Sequence, residues 1–265
     1  MPALSPSDTW QLGNPYERYV GRWSRRVARP FIAWLSVPPG KHWLDIGCGT
    51  GALSAAILAH AAPASLTGIE PSEGFLKVAS EALPSQVTLL PGKAAWVRLP
   101  DDSVDVIVSG RVLIFVPDLN TAFAEITRVA TKGATVGAYV WDYAGKMELM
   151  RHFWDAAVEL DPGAAKLDEG LRFPMCHEDA LRALFAGAGL HDVRTMAIDI
   201  ETPFGSFEDY WEPFLGGQGP APAYAMSLEA GARDRLRDAV RARLPIRSDG
   251  TIPLIARAWA VRATV

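Results

Sequence analysis

The sequence is poor in several features that point to particular classes of protein. It has only two cysteines, Cys48 and Cys176, which are too few for a disulfide framework or a four-cysteine zinc site. No apolar run is as long as a membrane-spanning helix, and residues 1–9 lack the pattern of a signal peptide. A net charge of −4 gives no overall basic field for nucleic acid or an anionic membrane. We therefore expect a cytoplasmic protein with no nucleic-acid or membrane partner.

Several catalytic motifs are also missing. There is no G-x-S-x-G nucleophile elbow and no Walker loop. None of the five histidines is paired at the helical spacing of metal ligands, so we expect no metal. His152 and His177 are candidate general bases if the segments around them fold over a cleft, although a lone histidine is more often structural.

What remains is the composition of an ordinary globular domain, with 49% hydrophobic and 21% charged residues. From residue 40 onwards short apolar strands alternate with amphipathic helices, which predicts a parallel sheet covered by helices on both faces. The alternation breaks at about residues 144–176 and 203–246, where we expect helical insertions over the cleft. Within the second insertion, residues 216–222 predict a loop because they are rich in glycine and proline. Residues 1–39 predict a separate helical lid segment.

The stretch from Trp43 to Gly51 predicts a nucleotide-like cofactor site. It reads as a buried strand, a glycine turn and the start of a helix, and we expect the turn to leave its N–H groups bare. Gly47, Gly49 and Ala52 fit a loose dinucleotide fingerprint. Asp45 argues against that interpretation, because a carboxylate here would repel a pyrophosphate and would suit a cationic ligand.

The sequence Leu44-Asp45-Ile46-Gly47-Cys48-Gly49-Thr50-Gly51 closely resembles the first motif of class I S-adenosylmethionine-dependent methyltransferases. The broader resemblance is to the bacterial small-molecule enzymes that include ubiquinone- and menaquinone-biosynthesis-like methyltransferases. It implies an α/β, Rossmann-like sheet of seven strands, mostly parallel with an antiparallel last strand. It also implies S-adenosylmethionine as methyl donor, S-adenosylhomocysteine as product and a small-molecule acceptor.

The same resemblance implies positions for the cofactor. Asp45 and the glycines would hold its methionine end, and Glu70, at the end of the second strand, would bind the ribose hydroxyls. Residues 92–95 would frame the adenine, although Lys93 stands where relatives commonly have an acceptor aspartate and has no acceptor itself. The predicted cofactor residues are Asp45, Gly47, Cys48, Gly49, Gly51, Glu70, Pro71, Ser72, Gly92, Lys93, Ala94, Ala95, Ser109 and Gly110.

The acceptor side is less defined. The predicted substrate residues are Tyr16, Tyr19, Arg111, Trp141, Asp142 and Tyr143. The segment after the fourth strand is apolar apart from Arg111, so the sequence assigns no catalytic base. It also leaves the acceptor, the methylated atom and the oligomeric state open. Two alternatives stay in view: a non-catalytic S-adenosylmethionine-binding regulator or scaffold, and an NAD-dependent oxidoreductase.

Overall fold

The fold is built on one seven-stranded sheet. A computed structural model of the chain describes residues 20–217 and 219–265. The strands are β1 (His42–Ile46), β2 (Ser65–Glu70), β3 (Thr88–Pro91), β4 (Val104–Gly110), β5 (Ala130–Trp141), β6 (His191–Glu201) and β7 (Ile255–Thr264). Their order is β3-β2-β1-β4-β5-β7-β6, and only β7 is antiparallel to its neighbours. The predicted sheet is confirmed.

Helices cover the sheet and its carboxyl edge. They are α1 (Arg22–Leu35), α2 (Ala52–His60), α3 (Glu73–Ala82), α4 (Leu119–Val129), α5 (Glu148–Leu160), α6 (Glu169–Arg172), α7 (Glu178–Gly187), α8 (Phe207–Trp211), α9 (Pro220–Ser227) and α10 (Ala230–Arg243). Among the residues described, no helix combines the length and apolarity needed to cross a membrane.

The register of the central strands brings their carboxyl ends to one level. Asp45 of β1 lies beside Gly68 of β2 and Val108 of β4. The central strands are almost wholly apolar and buried, as parallel strands covered on both faces must be. Each strand end therefore delivers its first polar side chains to the same edge of the sheet.

Helices from both predicted insertions pack against one another above that edge. Phe153 of α5 stacks on Phe214, with ring centroids 4.5 Å apart, and Trp154 lies 5.7 Å from Tyr224 of α9. The loop expected over residues 216–222 is only partly present, because α9 begins at Pro220. Proline is compatible with a helix start, since the missing N–H would have no partner in the first turn.

Candidate functional site

A cavity of about 330 Å³ opens at the carboxyl ends of β1, β2, β4 and β5. The sheet edge supplies one side of it, including Asp45, the glycine turn and Glu70. The insertions supply the opposite side through Met150, Glu169, Phe173 and Pro220. The lining is thus polar where the strands end and largely apolar where the inserted helices cover them.

Most N–H groups of the glycine turn donate hydrogen bonds within the protein. Gly47 and Cys48 both donate to the carbonyl of Ile69, at 2.8 and 3.0 Å, and Gly51 donates to Cys48. Gly49 donates to Glu70 Oε2 at 3.2 Å. The expectation that these groups stand bare is therefore wrong, because neighbouring β2 offers acceptors within reach. These four N–H groups offer no cradle for a pyrophosphate.

Gly47 is required where it stands. Its φ of +71° lies in the left-handed region, and an added Cβ would lie 2.4 Å from Val112 Cγ2. Gly51 also has positive φ, +90°, and its Cβ would meet Leu83 at 2.9 Å. Gly51 does not itself line the cavity, so its role is to shape the turn.

Asp45 is fully buried and faces the cavity. Ser54 donates to its Oδ2 at 2.7 Å, while Oδ1 is buried without a hydrogen-bond partner among the described residues. Burial raises the pKa of Asp45 from 3.8 to about 7, the hydrogen bond from Ser54 opposes the rise, and Glu70 adds to it. A ligand cation in the cavity would satisfy Oδ1 and favour the ionised carboxylate.

Glu70 is held by the backbone on both sides. Oε1 accepts from the N–H of Ser72 at 2.9 Å and Oε2 from Gly49. Burial raises the pKa of Glu70 and these two bonds counteract the rise. The carboxylate is thereby fixed at the end of β2, beside the glycine turn, with Pro71 and Ser72 also lining the cavity.

The predicted adenine segment lies next to the cavity but does not line it. Gly92, Lys93, Ala94 and Ala95 form a tight turn in which Trp96 N–H donates to the carbonyl of Lys93. Beyond the turn, Glu125 accepts from Val97 N–H at 3.0 Å and Arg128 donates to the carbonyls of Val97 and Leu99. The segment is rigidly supported, and its contact with adenine stays a prediction.

Ser109 and Gly110, at the end of β4, have different positions. Ser109 is buried and donates to the carbonyl of Ile46 at 3.0 Å, which ties β4 to β1. Gly110 lines the cavity, and a Cβ there would meet the Tyr139 hydroxyl at 2.7 Å. The structure therefore brings Gly110, but not Ser109, to the cavity.

Arg111 and Tyr143 both line the cavity, as expected for substrate residues. Arg111 has φ +65°, a strained conformation for a residue with a side chain, and its N–H donates to the carbonyl of Tyr139 at 2.7 Å. Burial lowers the pKa of its guanidinium, and the nearby phenols of Tyr139 and Tyr143 raise it. Strain at a cavity wall is typical of a functional position.

Trp141 and Asp142 do not reach the cavity, contrary to prediction. Trp141 is fully buried in the core, and both Asp142 carboxylate oxygens accept backbone N–H groups of the next turn, from Gly145 and Lys146 at 3.0 Å each. The physical reason is that the chain after β5 stays against the sheet. Met147 pairs with Ala256 of β7, which covers the end of β5.

The N-terminal lid prediction can be followed only in part. Tyr16 and Tyr19 lie outside the described residues. Val20 and Ser24, at the beginning of the described chain, line the cavity. The helix α1 then packs on the sheet, with Phe31 against Tyr139 at a ring distance of 5.0 Å.

Some lining residues were missed by sequence reasoning. Glu169, Phe173 and Pro220 lie in segments without regular periodicity, so no spacing rule marked them. Neither His152 nor His177 lines the cavity. Within residues 20–217 and 219–265, no group of three or more His, Cys, Asp or Glu side chains could hold a metal ion.

The central part of the chain is similar to known proteins. Residues 44–137 match the family model of the methyltransferase domain. The chain contains a class I methyltransferase domain. A demethylmenaquinone methyltransferase from Symbiobacterium thermophilum is 33% identical over 120 residues, 43% of this chain and 47% of that protein. Sterol 24-C-methyltransferase ERG6B from Gibberella zeae is 25% identical over 187 residues, 64% of this chain and 48% of that one.

The fold is shared more widely than the sequence. Phosphoethanolamine N-methyltransferase 2 from Haemonchus contortus, solved with phosphomonomethylethanolamine and S-adenosylhomocysteine, superposes with a TM-score of 0.56 at 15% identity. The superposition covers 95% of this chain and 56% of that one. The present chain spans about half the length of the curated relatives named above.

Proposed function

We propose that the protein transfers the methyl group of S-adenosylmethionine to a small, largely apolar acceptor held in the cavity. The observation that carries the proposal is the buried carboxylate of Asp45, whose Oδ1 has no hydrogen-bond partner among the described residues, beside a glycine turn most of whose N–H groups are already used. A site of this kind suits the ammonium of an amino-acid moiety. It does not suit a pyrophosphate, which needs bare N–H donors.

The residues present fit the cofactor in three places. Asp45 would hold the ammonium, Glu70 would accept hydrogen bonds from the ribose hydroxyls, and the turn around Gly47 would let the backbone approach closely. When bound, the cofactor supplies a methyl group that its sulfonium has already activated. The chain's own task is to align the acceptor with the methyl group and to exclude water from the cavity.

The acceptor would lie on the insertion side. There the ring of Phe173 lies 5.9 Å from that of Tyr143 and 6.0 Å from that of Phe115, which follows β4, and Met150 also lines the cavity. Such a wall favours an apolar, ring-containing molecule. The curated relatives named above are a menaquinone-pathway and a sterol methyltransferase, which supports an acceptor of this type. We place the reaction in the cytoplasm and expect neither nucleic acid nor membrane as partner.

The first test is calorimetric titration with S-adenosylhomocysteine, with NAD as the matched control. We expect micromolar affinity for the first and no heat from the second, because Gly49 N–H is occupied by Glu70. Binding of NAD without S-adenosylhomocysteine would overturn the proposal in favour of the oxidoreductase alternative. Methyl transfer to any acceptor would exclude the non-catalytic regulator or scaffold.

A further inference from the structure

Glu169 is a buried acid in the wall opposite the glycine turn. It begins the short helix α6, is only 2% exposed, and lines the same cavity as Asp45 and Glu70. The cavity wall around it is otherwise mostly apolar. Burying a carboxyl group costs free energy, so its place in this wall calls for a chemical reason.

Two hydrogen bonds hold the carboxyl group of Glu169, one from Trp154 and one from its own backbone N–H. Trp154 Nε1, on α5, donates to its Oε2. The preceding residue, Asp168, caps α6 by accepting from Gly170 N–H and accepts two hydrogen bonds, of 2.9 and 2.7 Å, from Arg151. The carboxyl group of Glu169 is thus preorganised, and its neighbour Asp168 is ion-paired with Arg151.

Its protonation is set by these surroundings. Burial raises the pKa of Glu169 from 4.5 to about 7, while its own backbone and Trp154 lower it by hydrogen bonding. On its own helix Asp168 raises the pKa further and Arg172 lowers it. Cys176, which also interacts with Glu169, is a buried thiol whose pKa is raised, so it stays neutral.

We propose that Glu169 accepts the proton that leaves the acceptor during methyl transfer, and that this acceptor is a neutral ring bearing a phenol-type hydroxyl. The proposal rests on the function proposed above. An electron pair of the acceptor forms the new bond to the methyl carbon, and the carbon–sulfur bond breaks with its pair moving to sulfur. The proton passes to the Glu169 carboxylate and then to water when the product leaves.

The charges in the cavity favour a neutral acceptor over a cationic amine. Arg111 lines the same cavity, so an ammonium group drawn to Glu169 would also meet a guanidinium. A phenol-type hydroxyl meets no such conflict, because its proton goes to a carboxylate and its developing negative charge is attracted by Arg111. The neighbouring rings of Phe115, Phe173 and Tyr143 suit an aromatic body.

The test compares wild type with Glu169→Gln, which keeps an acceptor for Trp154 Nε1 but cannot take a proton. Menadiol serves as the phenol-type probe and tryptamine as the amine probe. The matched control is Glu159→Gln, at the exposed end of α5. We expect wild type and Glu159→Gln to methylate menadiol and Glu169→Gln to lose about 100-fold or more in kcat. The affinity for S-adenosylhomocysteine should be the same within about twofold in all three.

A second readout needs no turnover. The carboxyl band of Glu169, isolated as the infrared difference between wild type and Glu169→Gln, should titrate near pH 7 in the protein loaded with S-adenosylhomocysteine. The rate with menadiol should rise with pH along the same curve, because only the ionised carboxylate accepts a proton. Trp154→Phe should move both curves to higher pH, because the hydrogen bond that lowers the pKa is lost.

The outcomes separate the two proposals. If wild type does not bind S-adenosylhomocysteine, the proposed function itself is overturned. If the protein binds S-adenosylhomocysteine yet methylates tryptamine and not menadiol, or neither, the inference about Glu169 and its acceptor is wrong. It is equally wrong if Glu169→Gln keeps the wild-type rate and pH profile.

Discussion

The two sides of the cavity are built by different means. On the glycine-loop side, formed by residues 45–51 and 70–72, positions are fixed by backbone: positive φ at Gly47 and Gly51 and N–H groups donated to Ile69 and Glu70. On the insertion side, formed by residues 143–173 and Pro220, positions are fixed by side chains, through ring packing and the Arg151–Asp168 pair.

The two kinds of surface tolerate amino-acid substitution differently. A backbone-built surface recognises whatever is common to all reactions of the protein, because few substitutions can alter it without disturbing the turn. A side-chain-built surface can be altered one residue at a time, which suits the part of the site that chooses among acceptors. Substitutions on the first side should affect S-adenosylhomocysteine binding, and substitutions on the second should not.

The largest effect is expected from Glu70→Ala. Removing the carboxylate frees the N–H groups of Gly49 and Ser72 and removes the predicted ribose acceptor. Hydrogen bonds to a charged group contribute about 1.5–3 kcal/mol each, so we expect S-adenosylhomocysteine affinity to fall by about 100-fold or more. Calorimetric titration measures it, with exposed Glu81→Ala of α3 as control. Unchanged affinity would remove Glu70 from the binding site.

Gly47→Ala should be the next most damaging change. A left-handed residue with a Cβ costs about 1–2 kcal/mol, and here that Cβ would also overlap Val112. Gly49→Ala is the matched control, since its φ of +55° is also left-handed but no atom lies within 4 Å of its Cβ. We expect the greater loss of thermal stability and of S-adenosylhomocysteine affinity at Gly47. Adding Val112→Ala should restore part of it, and equal effects at both glycines would contradict the steric account.

Most of the glycine-loop side could be predicted from the sequence, because it depends on local rules. Three glycines after an apolar strand, with an acid before them, specify a turn whose shape hardly depends on the rest of the chain. The acceptors of the N–H groups in this turn could not be predicted in this way. It depends on the carbonyl of Ile69 in the neighbouring strand, which only the register of the sheet brings near.

The insertion side could be predicted only as an insertion. The aromatic spacing of α5 gave a helix, but which face would meet the cavity depends on packing against Phe214 and Tyr224, far along the chain. Trp141 and Asp142 were expected at an open rim, and the pairing of Met147 with Ala256 closes that rim. Such long-range pairings leave no trace in the local pattern.

Gly170→Ala tests the side-chain-built surface with a smaller expected effect. A Cβ at this position would lie 2.5 Å from Arg151 Nη1 and 3.0 Å from the Ala144 Cα, so α6 must move away from the cavity wall. We expect about a tenfold loss in methyl transfer to menadiol with S-adenosylhomocysteine affinity unchanged. Gly187→Ala, whose Cβ meets open space, is the control. A loss of cofactor affinity instead would mean that the two sides of the cavity are coupled.

The smallest expected effect is the pH dependence of stability. In the folded protein the pKa of Glu169 is about 7 against an ordinary 4.5, so between these values the folded state binds more protons than the unfolded state. The favourable contribution of Glu169 to the free energy of unfolding is therefore complete at pH 4.5 and below. It is lost as the pH rises through 7. The Glu169→Gln variant does not lose stability in this way, because glutamine does not titrate. Urea unfolding at pH 5 and pH 8 should show wild type losing at least about 1 kcal/mol relative to the variant. A constant difference would mean that Glu169 is not buried as an acid, and the insertion side would then present an ordinary ionised carboxylate to its acceptor.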